Sequence, residues 1–597
     1  MQNDQKNLIL AMALSLMVIV GWNYFFAQPK VQQARQTTSQ LEQLGGKPAN
    51  PAAPQPDLAA LAPQLPPAVS RAEALAGSPR IVIDTKNLSG SMALKGARLD
   101  DLSLKAYRET IDPNSPNIVL LSPSGVQDGY FIDLNYVAPQ GVTLDLPKAD
   151  TVWKADGQRL TETTPVTLTF DNGKGLVIKR KISVDEDYMF TVADTVENKG
   201  KEAVNFFANA TTTRQGEPVS SGYAVLHEGF IGVIGADQSS TEMTYAQIAK
   251  EPNKAKVLPV DSYALGGWLG FTDKYWATAI VPDPTQGYKG WFRQFPGVKP
   301  QYQVDAFGEQ RTLAPGQTAT VSTRVFAGAK ESRVLSYYQN VQGVSKFDML
   351  IDWGWFHFIT RPMFWLLETL FALVGNFGVA ILLITLIVKI LFFPLANKSY
   401  ASMAKMKIIQ PKMKEIQEKY ADDKQKQQQE MMNLYRTEKV NPVAGCLPVL
   451  LQIPVFFSLY KVLFVAIEMR HAPFFGWIRD LSAPDPTNVF NLFGLVPWDP
   501  TTVPAIGHLL HLGIWPLIMG VSMWVQMKMN PEPTDPVQKT MFAWMPVIFT
   551  FMLGSFPAGL VIYWTWNNVL SVAQQGLIMK RSGAKIELFD NIAGKKK

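Results

Sequence analysis

Five apolar runs crowd the last 220 residues of this 597-residue chain: Gly378–Leu395, Val443–Ile467, Leu512–Met527, Met541–Phe556 and Gly559–Met579. A helix of about 20 apolar residues, rising 1.5 Å per residue, matches a hydrocarbon core of about 30 Å. Such a chain is no plain soluble enzyme. The earlier residues read as water-soluble apart from one run near the start. That split explains a mean hydropathy near zero, +0.01. Charged residues make up 18% and the net charge is +6, too mild to argue for a nucleic-acid partner. The single cysteine, Cys446, excludes an internal disulfide framework and a cysteine-cluster zinc site.

The early run, Leu8–Phe26, reads either as an uncleaved anchor or as a signal peptide. No small-residue cleavage site closes it, and Trp22–Phe26 suits an interface, which favours the anchor over residues 1–27. Residues 28–79, rich in Pro, Ala and Gln, form an extended tether. Between residues 80 and 335 the signal is β. Tyr130, Ile132, Leu134 and Tyr136 alternate, as do Val166, Leu168 and Phe170, and Asp171-Asn172-Gly173-Lys174-Gly175 is a turn. These features predict a large antiparallel β-sandwich. Residues 353–374 are aromatic-rich but carry Arg361, Pro362 and Glu368, which favours an amphipathic helix in the interface over a crossing one.

Positive charge marks the cytoplasmic side of a membrane. Ten Lys/Arg fall between Asn397 and Val440, two between Glu468 and His511, and six after Met579. The first and last of these segments are therefore expected inside and the middle one outside. If 353–374 lies flat, there are six spans and the β domain is outside. If it crosses, there are seven and the β domain is cytoplasmic. Residue patterning leaves both open.

Three runs carry polar groups at depth. Lys389 lies late in the first of the five, with Thr385 one helical turn earlier. A lysine in hydrocarbon costs at least ~2.5–3.5 kcal/mol near the centre, so it either snorkels or faces a wet cavity. In the last run Tyr563, Asn567, Ser571 and Gln574 recur at helical spacing, flanked by Trp564, and Gln452 and Ser458 add to the second. Together these suggest a polar groove rather than isolated helix–helix hydrogen bonds. The runs are also irregular. Met541–Phe556 is only 16 residues long and is interrupted by Pro546, and Val443–Ile467 carries Pro448 and Pro454. Short helices thin the bilayer and would ease passage of a polar segment.

The basic stretch 401–439 predicts a cytoplasmic helical hairpin. Met403, Met406, Met413 and Tyr420 mark one apolar stripe, Ala421-Asp422-Asp423 breaks it, and Met431 and Met432 mark a second. The stripes either pack on each other or offer adaptable surface to apolar partners. Basic outer faces suit anionic lipid or ribosomal RNA. There is no phosphate-binding loop, so no nucleotide drive is encoded, and there is no HExxH or GxSxG. His508-x-x-His511 has metal-like spacing but no third ligand nearby, and reads as structural.

The segments Asn441–Tyr460, Ala401–Tyr420 and Asp535–Trp564 resemble the YidC/Oxa/Alb family of membrane protein insertases. With the anchor, tether and β domain, the resemblance extends over nearly the whole chain and points to the Gram-negative subtype. It implies a multi-pass bacterial inner-membrane protein with six spans and a large periplasmic sandwich. The interfacial helix is then 353–374, the five-helix core 378–579 and the basic cytoplasmic tail 580–597. The family's groove holds a basic residue, usually arginine, and Lys389 occupies that position. Lysine can lose its proton when desolvated, so either the groove is wet enough to keep Lys389 charged or its role is softer in this protein. The implied function is insertion and folding assistance for nascent membrane proteins, alone or with the Sec translocon, with ribosome and signal-recognition machinery as further partners and no cofactor. A Sec-dependent assembly chaperone is the alternative. A proton-coupled transporter using Lys389 is disfavoured, because no carboxylate in the core runs would pair with it. The segment Asn491–Leu512 makes the outer loop longer than is typical of the family.

Overall fold

The computed structural model describes residues 68–218, 226–234, 240–258, 263–354, 356–438, 440, 447–503, 506–530 and 536–581. The expected anchor, most of the tether, Cys446 and the end of the basic tail lie outside the described residues.

Residues 80–329 form two facing sheets. In hydrogen-bonded order the first runs Ala255–Leu258, Tyr288–Phe295, Gln301–Leu313, Val204–Gln215, Tyr130–Val137, Arg98–Arg108, Leu88–Ala93, Arg80–Asp84 and Arg159–Leu160, with Asn117–Leu121 added beside Arg98–Arg108. The second runs Ser240–Met243, Gly229–Val233, Trp268–Thr272, Trp276–Pro282, Thr318–Ala329, Met189–Asn198, Leu176–Val184, Val166–Asp171 and Lys154–Ala155. Pairings are antiparallel except Arg80–Asp84 with Arg159–Leu160.

The period-2 pattern explains the core. Strand Met189–Asn198 buries Phe190, Val192, Asp194, Val196 and Asn198 and leaves the residues between them partly exposed. Asp194 is an inward charge, met by Arg180 across the ladder at 2.8 Å and by the Tyr136 hydroxyl of the other sheet at 2.5 Å. A polar network thus joins the two sheets where an unpaired charge would be costly. In the predicted turn, Asn172 Oδ1 accepts from Lys174 N and Leu176 N, and Gly173 adopts φ 68°.

Nine helices follow among the described residues: α1 Ser332–Asn340, α2 His357–Val374, α3 Phe377–Leu391, α4 Phe393–Lys419, α5 Lys424–Thr437, α6 Leu447–Val465, α7 Ile514–Met529, α8 Pro536–Met552 and α9 Ala558–Arg581. Helix α2 buries Met363, Phe364, Leu367 and Leu370, and exposes Phe358, Trp365 and Leu373. Gly375, at φ 69°, ends it, and Asn376 caps α3 by accepting from Val379 N at 3.1 Å. The run expected to continue to Leu395 instead breaks at Phe392, where α3 and α4 meet at 70°. Pro394 lacks an N–H and suits the first turn of a new helix. Helix α8 starts before the expected run and stops short of Phe556, because Gly554 and Pro557 end it. Among the described residues no single helix is long and apolar enough to cross a membrane, while the bent pair α3–α4 passes by length and composition.

Helix α9 packs against α3, α4, α6 and α7. Sandwich and helices meet through polar contacts. Lys461 of α6 pairs with Asp352 at 2.7 Å, and Asp352 also accepts from His227 N at 2.8 Å. Glu468 accepts from Ser332 N at 3.0 Å, and Arg470 donates to the Arg108 carbonyl at 2.6 Å.

Candidate functional site

Helix α3 (FGVAILLITLIVKIL) has one charged residue, Lys389. Its ammonium donates to Ser571 Oγ of α9 at 2.7 Å. Ser571 in turn donates to the Asn567 carbonyl at 2.7 Å, leaving its lone pair to receive the lysine. Among the described residues no carboxylate pairs with Lys389. Beside it lies a small, partly open cleft lined by Lys389, Phe392, Leu395, Tyr400, Gln452 and Gln574, among others. Gln452 of α6 donates to the Tyr563 hydroxyl, so three helices supply polar groups to one region. Gln574 Nε2 and Asn567 Oδ1 find no hydrogen-bond partner among the described residues.

The structure therefore brings Lys389, Gln452, Tyr563 and Ser571 together, with Asn567 next to them on α9. Thr385 is buried and donates to the Ile381 carbonyl of its own helix at 2.6 Å. Ser458 is fully buried with its hydroxyl unmatched among the described residues. Trp564 packs on Phe456 and Phe549, at ring-centroid distances of 4.7 and 5.5 Å. Tyr400 lines the cleft and was not predicted. It follows the break at Phe392, so no helical periodicity connects it to Lys389.

The hairpin is α4 and α5. Asp423 caps α5, its carboxylate accepting from Lys426 N at 3.0 Å. Met413 is buried with Ile409 and Val440, and Met406, Met431, Leu434 and Tyr435 pack around them. Met403 packs with Tyr400 and Ile578 of α9. These methionines join helices to each other. Met432 is exposed, and Tyr420 stands within cation–π distance of Lys419 and Lys426. The His511 ring shares a hydrogen bond with the Asp485 carbonyl at 3.0 Å.

The chain thus joins a two-sheet, largely antiparallel sandwich to a helical unit with a lysine-bearing cleft, the architecture of an inner-membrane protein with a periplasmic domain in the families it matches. Residues 80–366 match the YidC periplasmic domain, and residues 369–585 match the 60Kd inner membrane protein family. The chain belongs to the YidC family of membrane protein insertases, which are not enzymes. A relative named membrane protein insertase YidC, from Beijerinckia indica, is 60% identical over 99% of this chain and 98% of its own length. Another of that name, from Methylobacterium nodulans, is 55% identical, again over 99% and 98%. A solved YidC insertase with its first transmembrane domain resolved covers 83% of this chain and 92% of its own, at 18% identity and a TM-score of 0.35.

Proposed function

We propose that the cleft at Lys389 receives the hydrophilic segment of a nascent membrane protein while the client's apolar helix passes into lipid beside α6 and α8. The observation that carries this is the Lys389 ammonium, held by a hydroxyl and not by a carboxylate, at the edge of an open cleft. An acidic client residue 4 Å away would gain about 4 kcal/mol at an effective dielectric of ~20, before desolvation. Transfer of the client's apolar surface supplies the larger drive, roughly 25 cal/mol per Å².

In this reading the chain has six spans, the anchor and five in the helical unit, with α3 bending into α4 at the cytoplasmic face. The Lys/Arg distribution supports placing α4, α5 and the tail inside and the sandwich outside. The apolar exposed face of α2 suits the membrane interface. The α4–α5 hairpin, through Met432, Tyr420 and its lysines, receives clients, ribosomes with their signal-recognition machinery, or anionic lipid. The sandwich is the surface on which the Sec translocon would dock. Insertion of a single-span client with an acidic outer segment into liposomes holding only the purified protein tests the reading. Insertion that requires added Sec translocon would contradict it and favour a dependent chaperone.

A further inference from the structure

The outer loop contains a segment that water does not explain. From Pro486 to Trp498 there is no charged residue, and Asp485 and Asp499 bracket it. Within it Phe490, Leu492, Phe493, Leu495, Val496 and Trp498 are all exposed, Leu495 to 83%. Leu492 and Phe493 adopt φ 51° and 59°, in the left-handed region that such side chains rarely occupy. Backbone strain kept only to hold apolar groups outward points to a use for them.

The segment's polar groups turn inward. The amides of Phe493, Leu495, Val496 and Trp498 donate to loop carbonyls, and those of Phe490 and Gly494 to Asn side chains of the loop. Asn491 Nδ2 donates to the Trp498 carbonyl at 3.2 Å. A loop that bonds most of its amides internally and turns apolar side chains outward suits an apolar medium, where unmet polar groups are costly. Its base is fixed to the start of α7. Val489 N donates to the Leu512 carbonyl at 2.9 Å, Ile514 N to Thr487 Oγ1 at 3.0 Å, and Trp515 N to the buried Asp485 carboxylate at 2.9 Å. The tip therefore projects where a membrane helix emerges.

We infer that Val489–Trp498 inserts its apolar side chains into the outer leaflet of the bilayer. This rests on the orientation given under Proposed function. Lipid, and not a protein, is the occupant because the segment is tied to the start of α7, which that orientation places in the membrane, and offers a partner no charge.

The test uses the full chain with Cys446→Ser and single cysteines at Phe493, Leu495 or Thr501, each carrying an environment-sensitive fluorophore. The protein is placed in vesicles of phosphatidylethanolamine and phosphatidylglycerol. The labels at 493 and 495 are expected to be quenched by shallow nitroxide lipids, and to be roughly threefold or more less accessible to iodide than the label at 501. Leu495→Cys removes little packing, so it guards against misfolding of the Phe493 variant. Equal iodide access at all three positions overturns the inference. So does shielding that is present in native membranes and lost in the vesicles, which would put a protein on the loop. In intact spheroplasts an impermeant maleimide must reach Thr501→Cys. Failure there, with reaction after lysis, overturns the orientation itself and is separable from failure at the tip.

Discussion

Replacing Lys461 by Met should loosen the seam between the sandwich and α6 without unfolding either. Lys461 and Asp352 are 2.7 Å apart with side-chain exposures of 12% and 16%, so water screens the pair little. Removing one member of a buried pair costs ~3–5 kcal/mol, because the other charge is stranded. Here His227 N and Gly354 N also donate to Asp352, at 2.8 and 3.0 Å, and soften the loss. We therefore expect about 2 kcal/mol at the seam, somewhat below that range. Hydrogen exchange of the His227 amide reports it directly, since that N–H is bonded to Asp352. Its protection should fall roughly 30-fold at 1.4 kcal/mol per decade. Lys461→Met with Asp352→Asn should recover much of this, giving a coupling of at least ~1 kcal/mol in the cycle. Additive single effects, or unchanged protection in Lys461→Met, would refute the reasoning. Burial pushes the Asp352 carboxyl up, but the Lys461 ammonium overrides this and holds it below the usual range. A depressed acid stabilises above its unfolded value and loses that as pH falls. The seam should thus keep its protection from neutral pH down to about 4 and weaken below.

Burial raises the Glu468 carboxyl to about 7, and only one of its oxygens has a partner among the described residues. A raised acid favours the fold while protonated, so stability should decline as pH rises from about 4.5 through 7. Glu468→Gln should flatten that decline in a melting-temperature series. Ser458→Ala should be neutral or stabilising by up to ~1 kcal/mol, since it removes a buried hydroxyl with no partner among the described residues; a loss above that in detergent unfolding would show a hidden partner. Met413→Ala should cost ~2–3 kcal/mol in the hairpin and speed its proteolysis, while Met432→Ala should not. Ser571→Ala should lower client insertion up to ~10-fold, by the ~1.5 kcal/mol of one hydrogen bond to a charged group, while leaving the melting temperature nearly unchanged.

Alternation in Tyr130–Tyr136 and Val166–Phe170 made the sandwich legible; the second strand buries one face at Val166 and Leu168, while the first is buried on both, Phe131 and Asp133 included. Its polar core was not legible. Asp194 looks like an outward residue until Arg180 and Tyr136 are placed around it. In the site, Ser571 and Tyr563 were readable from the spacing on one helix, and Gln452 and Lys389 from their cost in an apolar run. Thr385 misleads because a threonine one turn from a lysine shares its face, yet its hydroxyl returns to its own backbone. Tyr400 was invisible because the 70° break resets the periodicity. The methionine stripe was ambiguous by nature. The same side chains serve helix packing or client contact, and only the position of the second helix assigns Met406 and Met413.

The most direct test compares the wild-type protein with Lys389→Ala and Lys389→Arg, each alone in liposomes, using single-span clients with acidic or neutral outer segments. The groove account predicts insertion by the wild type, loss in the alanine variant that is larger for the acidic client, and recovery in the arginine variant. Equal insertion of both clients by all three proteins would contradict a role for the charge and leave polarity and membrane thinning to carry the reaction.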